Sequence, residues 1–300
     1  MEDYLATPAA PIPPEQRLTA GAHVADLDGL KLAYTVSGSG PLLVVPAPGW
    51  GIGSGYLRNG LKPLEAHFTL VVCDPRGNGA SSRPDNQHDM GSAHMAADLE
   101  ALRSYWGLDQ LTLLGHSSAG AVAMAFAARW PQRTARLVLA DSDLLGFDSA
   151  ASFKKFAAAR RDDPLYSAAL ARLMSAKPTS DEEFSDLLLA ILPYYFAEPT
   201  AGVPRLLKTM SDAPSLWAYG AYYGADRDAP GGQAATLGAI TAPTLVLVGQ
   251  EDAFCPVAVA QRIQSGIAGA RLQVLERSGH FPWIEQPREF FEAVISFLSN

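Results

Sequence analysis

Short runs of apolar residues alternate with segments of helical periodicity between residues 42 and 140. Four runs are mostly apolar, which is typical of strands buried on both faces of a sheet. They lie at 42–45, 68–73, 111–114 and 136–140. Segments with apolar positions at helical spacing separate them, at 56–66, at 93–106 and directly after position 117. This alternation predicts a parallel sheet with helices on both faces.

The N-terminal part of the chain differs from this pattern. Residues 1–20 are rich in proline and predict an extended arm outside the core. The segments 23–27 and 30–36 flank Asp28-Gly29, a dipeptide typical of a tight turn between antiparallel strands. We therefore expect a hairpin to precede the parallel strands.

Residues 142–234 contain no apolar run that is typical of a strand. Helical stretches are predicted at 152–161, 165–174, 181–190 and 203–210. This segment is therefore predicted to be a helical cap. Its aromatic side chains cluster in the second half: Tyr194, Tyr195, Phe196, Trp217, Tyr219, Tyr222 and Tyr223. We expect two or three of these side chains to contact a ligand and the others to form the core of the cap.

Strands are predicted again at 244–248 and 271–275, with helices at 257–267 and from about 287 to 298. Together with the hairpin, these strands complete a mostly parallel sheet of eight predicted strands. The sequence thus predicts an α/β core of residues 21–141 and 235–300, a cap of residues 142–234 and the N-terminal arm.

The composition argues against several classes of protein. The chain has 23 basic and 31 acidic residues, and its net charge of −8 argues against a nucleic-acid partner. No apolar run is long enough to span a membrane, and the first residues lack the basic and apolar regions of a signal peptide. We therefore expect a cytoplasmic protein that binds a small molecule. Its oligomeric state cannot be read from the sequence.

No cofactor or metal is expected. Cys73 and Cys255 are too few for a disulfide framework or a zinc site, and Cys73 lies in an apolar run. No spacing of His, Asp and Glu indicates a metal. The glycine-rich segment 46–55 completes neither the dinucleotide-binding pattern nor the P-loop pattern.

The clearest candidate for chemistry is Ser117, in a very short turn between an apolar run and a helical pattern. It lies within Gly115-His-Ser-Ser-Ala-Gly120. So sharp a turn requires small neighbours, and it presents the hydroxyl at the carboxyl edge of the sheet, above a helix N-terminus. The pattern Gly-x-Ser-x-Gly is typical of nucleophilic serines, although Ala119 replaces its last glycine.

Backbone donors for an oxyanion are expected on both sides of this serine. The segment 46–55 has four glycines and two prolines directly after an apolar run. Pro48 has no N–H group, so Gly49 or Trp50 is the expected donor from this loop. Ser118, directly after the nucleophile, supplies the second predicted N–H group.

Three candidate catalytic residues follow the ends of predicted parallel strands: Ser117, Asp252 and His280. Ligands bind beyond the carboxyl ends of the strands in open α/β sheets. A serine hydroxyl needs a base near neutral pH, and His280 can take its proton. A buried carboxylate, here Asp252, fixes the tautomer of the imidazole.

Other residues compete for these roles. Asp141 and Asp143 follow the preceding strand and are alternative acids, and Glu251 adjoins Asp252. His116 adjoins the serine but is expected to point elsewhere. The remaining histidines follow no suitable strand end: His23, His67, His88 and His94.

Four motifs show that the chain resembles the α/β-hydrolase superfamily over about residues 22–299. They are Gly115-His-Ser-Ser-Ala-Gly120, Asp74-Pro-Arg-Gly-Asn-Gly-Ala-Ser81, Gly249-Gln-Glu-Asp252 and Ser278-Gly-His280. Within the superfamily the chain is similar to the lid-bearing group of proline iminopeptidases and related serine esterases. The resemblance implies the α/β-hydrolase fold with an inserted helical cap.

The chain departs from the iminopeptidase pattern at two points. Ala47 stands where that group has a histidine, and Ala253 stands where some members have a glutamate that binds the substrate amine. An aminopeptidase would need another carboxylate for this amine. The candidates are Glu198, Asp226 and Asp228.

We therefore expect a serine hydrolase that cleaves an ester or lactone of a small, apolar or aromatic substrate through an acyl-enzyme on Ser117. The predicted substrate-binding residues are Trp50, Tyr194, Tyr195, Trp217, Tyr222 and Phe254. Two alternatives stay open. One is an aminopeptidase resembling the proline iminopeptidases, and the other, from a different class, is a small-molecule receptor with little turnover.

Overall fold

The computed structural model describes residues 13–227 and 232–299. Residues 1–12 of the predicted N-terminal arm lie outside the described residues, as does Asp228. Between residues 13 and 20 the chain forms a short 3-10 turn, Pro14–Gln16. The proposed division into arm, core and cap stays a prediction.

One eight-stranded sheet lies at the centre of the described chain. Its strands are β1 (Gly21–Leu27), β2 (Leu30–Gly38), β3 (Leu42–Pro46), β4 (Thr69–Cys73), β5 (Leu111–His116), β6 (Thr134–Ala140), β7 (Thr244–Gly249) and β8 (Arg271–Leu275). Their order across the sheet is β1-β2-β4-β3-β5-β6-β7-β8. β2 is antiparallel to both of its neighbours, and all other neighbouring strands are parallel. The predicted α/β-hydrolase fold is confirmed.

The burial of the strands follows the apolar runs. Every residue of β7 is buried, and so are the last four residues of β3, of β4 and of β6. Strands covered on both faces tolerate no alternation of apolar and polar residues. β1, at one edge of the sheet, buries only one of its seven residues. The unbroken runs therefore mark the central strands, and the polar pattern marks an edge.

Helices connect several of the strands, and two more follow β8. They are α1 (Gly55–Gly60), α2 (Ser92–Tyr105), α3 (Ser118–Arg129), α9 (Val257–Gly266), α10 (Pro282–Glu285) and α11 (Pro287–Ser299). The helix predicted at 56–66 is instead α1 followed by a 3-10 turn, Lys62–Ala66. Pro63 lies in the first turn of the second element, where it lacks the N–H group that a continuing helix would need.

Between β6 and β7 the described chain forms helices and turns, which we call the helical insertion. Its helices are α4 (Ala150–Ala159), α5 (Pro164–Ser175), α6 (Asp181–Ile191), α7 (Pro199–Leu207) and α8 (Leu216–Arg227). The sequence predicted the first four, with shifted ends for α7, but recognised α8 only as an aromatic cluster. Because aromatic residues there occupy most faces of the helix, they show no clear period of 3.6 residues.

The order of the strands brings several chemical groups to one edge of the sheet. Parallel strands end at the same edge, where ligands bind in folds of this type. The residues that follow these ends are Gly49 after β3, Asn78 after β4, Ser117 after β5, Asp143 after β6, Asp252 after β7 and His280 after β8. Among the described helices, none is both long and apolar enough to cross a membrane.

Candidate active site

Ser117 lies at the turn between β5 and α3 in a strained backbone conformation, with φ 56° and ψ −131°. Its N–H donates to the Ala140 carbonyl at 3.1 Å, which holds the turn against the end of β6. A Cβ on Gly115 would lie 2.7 Å from Gly120 Cα, and one on Gly120 would lie 2.0 Å from Ser142 Oγ. The close packing thus requires glycine at these two positions. Ala119, which replaces the motif's last glycine, is accommodated as a fully buried residue.

His280 and Asp252 form a buried hydrogen-bonded pair, with 2.7 Å between Nδ1 and Oδ2. The other carboxylate oxygen of Asp252 accepts the N–H groups of Phe254 and Cys255, each at 2.9 Å. The backbone N–H group of His280 donates to the Tyr195 carbonyl at 2.8 Å. Because a carboxylate only accepts, Nδ1 carries the proton, and Nε2 is left as the basic nitrogen.

Ser117 and His280 line the same two cavities. Among the described residues, no direct hydrogen bond joins the serine hydroxyl to the imidazole. Contacts of this kind are often long in enzymes without substrate and shorten when the substrate binds.

The alternative acids have other partners. Asp141 Oδ1 accepts the Gly249 N–H at 2.8 Å, and burial together with the neighbouring Asp252 raises the pKa of Asp141 well above its usual value. Glu251 forms an ion pair of 2.5 Å with Arg160. Within the described chain, Asp252 is therefore the carboxylate that contacts the imidazole of His280.

Asn78 arranges the loop after β3, and this is a residue whose importance the sequence did not indicate. Its Oδ1 accepts the Gly51 N–H at 2.7 Å, and its Nδ2 donates to the Gly49 carbonyl at 3.0 Å. Asp74 accepts the Ser54 N–H at 3.0 Å. Asn78 and Asp74 lie in the motif that follows β4, so the available signal was the resemblance and not the local pattern.

These contacts leave specific backbone donors free to meet a ligand. Among the hydrogen bonds of the described residues, none uses the N–H groups of Gly49 or Trp50, whereas those of Gly51 and Ser54 are occupied. Ser118 is the first residue of α3, so its N–H has no partner within the helix. The three predicted oxyanion-hole residues, Gly49, Trp50 and Ser118, therefore retain unpaired donors.

The two cavities at Ser117 differ in character, and we call them the apolar chamber and the polar chamber. Both are lined by Trp50, Ser117, Tyr195 and His280. The apolar chamber adds mainly hydrocarbon side chains: Ile52, Leu188, Leu192, Leu206, Met210 and Phe281, with Pro48, Tyr56 and His116. The polar chamber adds Ser118, Asp143, Tyr223, Phe254 and Cys255. Neither chamber has a Lys or Arg among these described residues.

The structure places three of the predicted substrate-binding residues in the chambers and three elsewhere. Trp50 and Tyr195 line both chambers, and Phe254 lines the polar one. The other three are not among the residues that line the two chambers, and they pack against protein: Tyr194, Trp217 and Tyr222.

Each of these three contacts other protein groups. Tyr194 is buried and stacks on Phe153 in the core of the helical insertion. Trp217 lies under the Arg83 guanidinium, 4.4 Å from the ring centre. Tyr222 is fully buried and its hydroxyl bonds to Ser92 at 2.9 Å. Counting aromatic residues therefore does not distinguish the core of the insertion from the wall of a pocket.

His116 points away from the serine, as expected, but it has a clear place in the site. Its Nε2 meets the His280 carbonyl at 2.9 Å, so this nitrogen carries a proton and donates. Its Nδ1 then accepts from the Tyr56 hydroxyl at 2.8 Å. Burial and the nearby His280 hold the pKa of His116 well below its usual value, so the ring is neutral. Through this hydrogen bond, His116 and Tyr56 hold the backbone at His280.

A group of potential metal ligands coincides with the same pair. Single donor atoms of Asp252, Cys255 and His280 lie within 4.8 Å of one another. The carboxylate and the imidazole are already bonded to each other. Burial, followed by the Asp252 carboxylate, raises the pKa of the Cys255 thiol well above its usual value, which disfavours the thiolate that binds metals. The donor set therefore fits a hydrogen-bonded Asp252–His280 pair better than a metal centre.

Comparison with known proteins defines the class. Residues 41–287 match the family described as the alpha/beta hydrolase fold, and the chain belongs to this family. It is thus an enzyme of the α/β-hydrolase superfamily, and its named relatives are hydrolases. These matches do not single out the proline iminopeptidases.

Three similar proteins, two sequence relatives and one solved structure, illustrate the similarity. The 2-hydroxy-6-oxo-2,4-heptadienoate hydrolase of Pseudomonas putida is 27% identical over 270 residues, which covers 89% of this chain and 91% of that protein. The 2-hydroxy-6-oxononadienedioate/2-hydroxy-6-oxononatrienedioate hydrolase of Klebsiella pneumoniae is 26% identical over 290 residues, which covers 94% and 92%. A solved hydrolase from Pseudomonas aeruginosa superposes with a TM-score of 0.72 at 28% identity and covers 93% and 98%.

Proposed function

We propose that this protein is a serine hydrolase that cleaves a carboxylic ester or lactone of a small substrate through an acyl-enzyme on Ser117. The observation that carries the proposal is the 2.7 Å hydrogen bond from His280 Nδ1 to Asp252, with Ser117 at the wall of the same cavities. A buried carboxylate that fixes this tautomer leaves Nε2 to act as the base.

The reaction would proceed through two acyl transfers. Ser117 Oγ attacks the carbonyl carbon while His280 Nε2 takes its proton. The N–H group of Ser118 and that of Gly49 or Trp50 stabilise the resulting oxyanion. The carbon–oxygen bond of the ester then breaks, and the imidazolium gives its proton to the leaving alkoxide. A water molecule deprotonated by the same imidazole attacks the acyl carbon, which releases the acid and regenerates the serine.

The apolar chamber supports a substrate with a hydrocarbon or aromatic group. Leu188, Leu192, Leu206 and Met210 of the helical insertion line it. Burial of apolar surface contributes roughly 25 cal/mol for each Å² removed from water. A charged group would gain nothing from these neighbours and would lose its hydration.

The names of the Pseudomonas putida and Klebsiella pneumoniae hydrolases describe carboxylate substrates, a dienoate and a dienedioate. The described lining of the two chambers contains no Lys or Arg to pair with a carboxylate, and it does contain Asp143. For this reason we do not extend those substrates to this chain.

The positions of the carboxylates that were predicted to bind a substrate amine do not support the aminopeptidase alternative. Glu198 is exposed and lines neither chamber. Asp226 accepts hydrogen bonds from the N–H and the hydroxyl of Ser92, at 2.8 and 2.6 Å. Asp228 lies outside the described residues.

Labelling with a fluorophosphonate probe tests the proposal, with the intact mass as the readout. The wild type should gain one adduct that is absent in Ser117→Ala. Ser104→Ala, an exposed serine in α2, is the matched control and should label like the wild type. Before labelling, the wild type should also hydrolyse short-chain esters or lactones. An adduct that persists in Ser117→Ala refutes the assignment, and labelling without turnover of any ester or lactone favours the receptor alternative.

A further inference from the structure

Asp143 is a carboxylate held firmly next to the nucleophile, although it is not the acid that contacts His280. Its N–H donates to the Ser117 carbonyl at 3.0 Å. Its own carbonyl accepts the Ser142 hydroxyl at 2.9 Å, and its Oδ1 accepts the Leu144 N–H at 2.8 Å. Three hydrogen bonds thus fix both the backbone and one carboxylate oxygen of this residue.

The second oxygen of this carboxylate has no protein partner. Among the described residues, no hydrogen bond or ion pair involves Asp143 Oδ2, and the residue is half-buried in the wall of the polar chamber. Burial raises the pKa of Asp143, and the carboxylates of Asp226 and Asp252 add to this rise, whereas the hydrogen bond from Leu144 and the nearby His280 oppose it. A polar group left unpaired in such a place is unfavourable, so a ligand group that donates a hydrogen bond or carries a positive charge would be stabilised there.

The neighbours of Asp143 do not provide that charge. The other side chains that line the polar chamber are hydroxyl, thiol or aromatic groups together with His280. The imidazole is committed to Asp252 through Nδ1. The chamber therefore presents a fixed acceptor to whatever occupies the space beside the serine hydroxyl.

We propose that Asp143 is a specificity-determining residue that binds an ammonium group of the substrate and disfavours substrates with a carboxylate at the same place. This inference rests on the proposed ester hydrolysis and specifies its substrate class. The backbone of Asp143 is hydrogen-bonded to the backbone of Ser117. We therefore expect the ammonium group of the substrate to be only a few covalent bonds away from the substrate carbonyl that Ser117 attacks. It can belong to the acyl part or to the alcohol part of the ester.

Two sets of matched esters show whether the ammonium group belongs to the acyl part or to the alcohol part. On the acyl side they are ethyl 3-aminopropanoate, ethyl butanoate and monoethyl succinate, whose terminal groups are an ammonium, a methyl and a carboxylate. On the alcohol side they are 2-(dimethylamino)ethyl butanoate, 3-methylbutyl butanoate and 2-carboxyethyl butanoate. Hydrolysis is followed by proton release at constant pH 7.5, and kcat/KM is compared for each set.

The test variant is Asp143→Asn. An asparagine keeps the oxygen that accepts the Leu144 N–H but removes the charge. In one of the two sets, kcat/KM of the cationic ester should fall about tenfold to a hundredfold, the range for loss of a charge-assisted hydrogen bond. The neutral ester should change by less than about threefold, and the carboxylate ester should become a better substrate. Asp162→Asn, an exposed carboxylate in the helical insertion, carries the same change in net charge and should leave all ratios unchanged.

The outcomes distinguish this inference from the proposed function. Ester hydrolysis that needs Ser117 but shows the same charge preference in Asp143→Asn refutes the role of Asp143 alone. An equal loss for all three members of both sets also refutes it, because a structural role would act without regard to charge. Absence of a Ser117 adduct and of any ester hydrolysis in the wild type refutes both.

Discussion

Replacement of Asn78 by alanine tests how the loop after β3, which carries the predicted oxyanion donors Gly49 and Trp50, is held in place. Asn78 is buried and makes three hydrogen bonds to backbone groups, at 2.7 Å to Gly51 N–H, 3.0 Å to the Gly49 carbonyl and 2.9 Å to the Arg76 carbonyl. Alanine would remove all three and leave buried backbone groups of the loop without partners. The free N–H group of Trp50 lies between the two anchored points, and the free N–H group of Gly49 lies directly before them.

The magnitude follows from these contacts. Each lost hydrogen bond contributes about 1 kcal/mol, and each buried group left unpaired costs about 1–3 kcal/mol. We expect Asn78→Ala to lower the free energy of unfolding by about 2–5 kcal/mol. Misplacement of an oxyanion donor by about 1 Å lowers the rate about a hundredfold. Because the apolar chamber is lined mostly by other residues, kcat should fall far more than KM rises.

The assay combines urea unfolding with ester kinetics on the folded variant at low temperature. Asn78→Asp provides a second variant of equal size, which keeps an acceptor for the Gly51 N–H but places a second oxygen against the Gly49 carbonyl. It should also lose kcat, because the Gly49 carbonyl would face an oxygen in place of a donor. Asn59→Ala, which removes one hydrogen bond to the Thr209 carbonyl on the surface, is the control. A folded Asn78→Ala protein with wild-type kcat would refute the positioning role.

Two further predictions concern the carboxylates at the ends of β6 and β7. Asp252→Asn should lower kcat for esters by roughly 10⁴-fold and slow fluorophosphonate labelling in parallel, since the imidazole of His280 would lose the partner that fixes its tautomer; unchanged labelling kinetics would contradict this role. Asp141→Asn should raise the free energy of unfolding at pH 8. The pKa of Asp141 is higher in the folded protein than in the unfolded chain, where it is about 4, so the wild type loses stability as the pH rises from about 4 through the folded-state pKa. An asparagine stays neutral and avoids this loss. Urea unfolding at pH 8 and at pH 4 measures this, and an equal change at both values would show that the effect is not electrostatic.

The sequence identified the parts of the site that depend on local pattern. The turn at Ser117 is recognisable because a strand, a tight turn and a helix must be joined by small residues within a few positions. Asp252 and His280 are recognisable because each directly follows an apolar run that predicts a parallel strand. The oxyanion loop is recognisable because several glycines and prolines directly follow another such run.

Other features of the site could not be predicted from the local sequence pattern. Tyr194 and Tyr195 are neighbours with the same side chain, yet one packs into the helical insertion and the other lines both chambers. Asn78 reaches a loop 27 residues earlier in the chain, and His116 reaches the carbonyl of a residue 164 positions later. No periodicity in the sequence encodes such contacts.

The sequence by itself determined the eight strands, their mostly parallel arrangement and the edge at which the candidate residues gather, because hydrophobic period and turn residues act over a few positions. Only the tertiary structure decided which acid contacts the imidazole of His280, which aromatic side chains line a cavity and that Asp143 faces the polar chamber. These outcomes depend on how elements far apart in the chain pack together. Packing depends on shape and on the pairing of buried polar groups across the whole molecule.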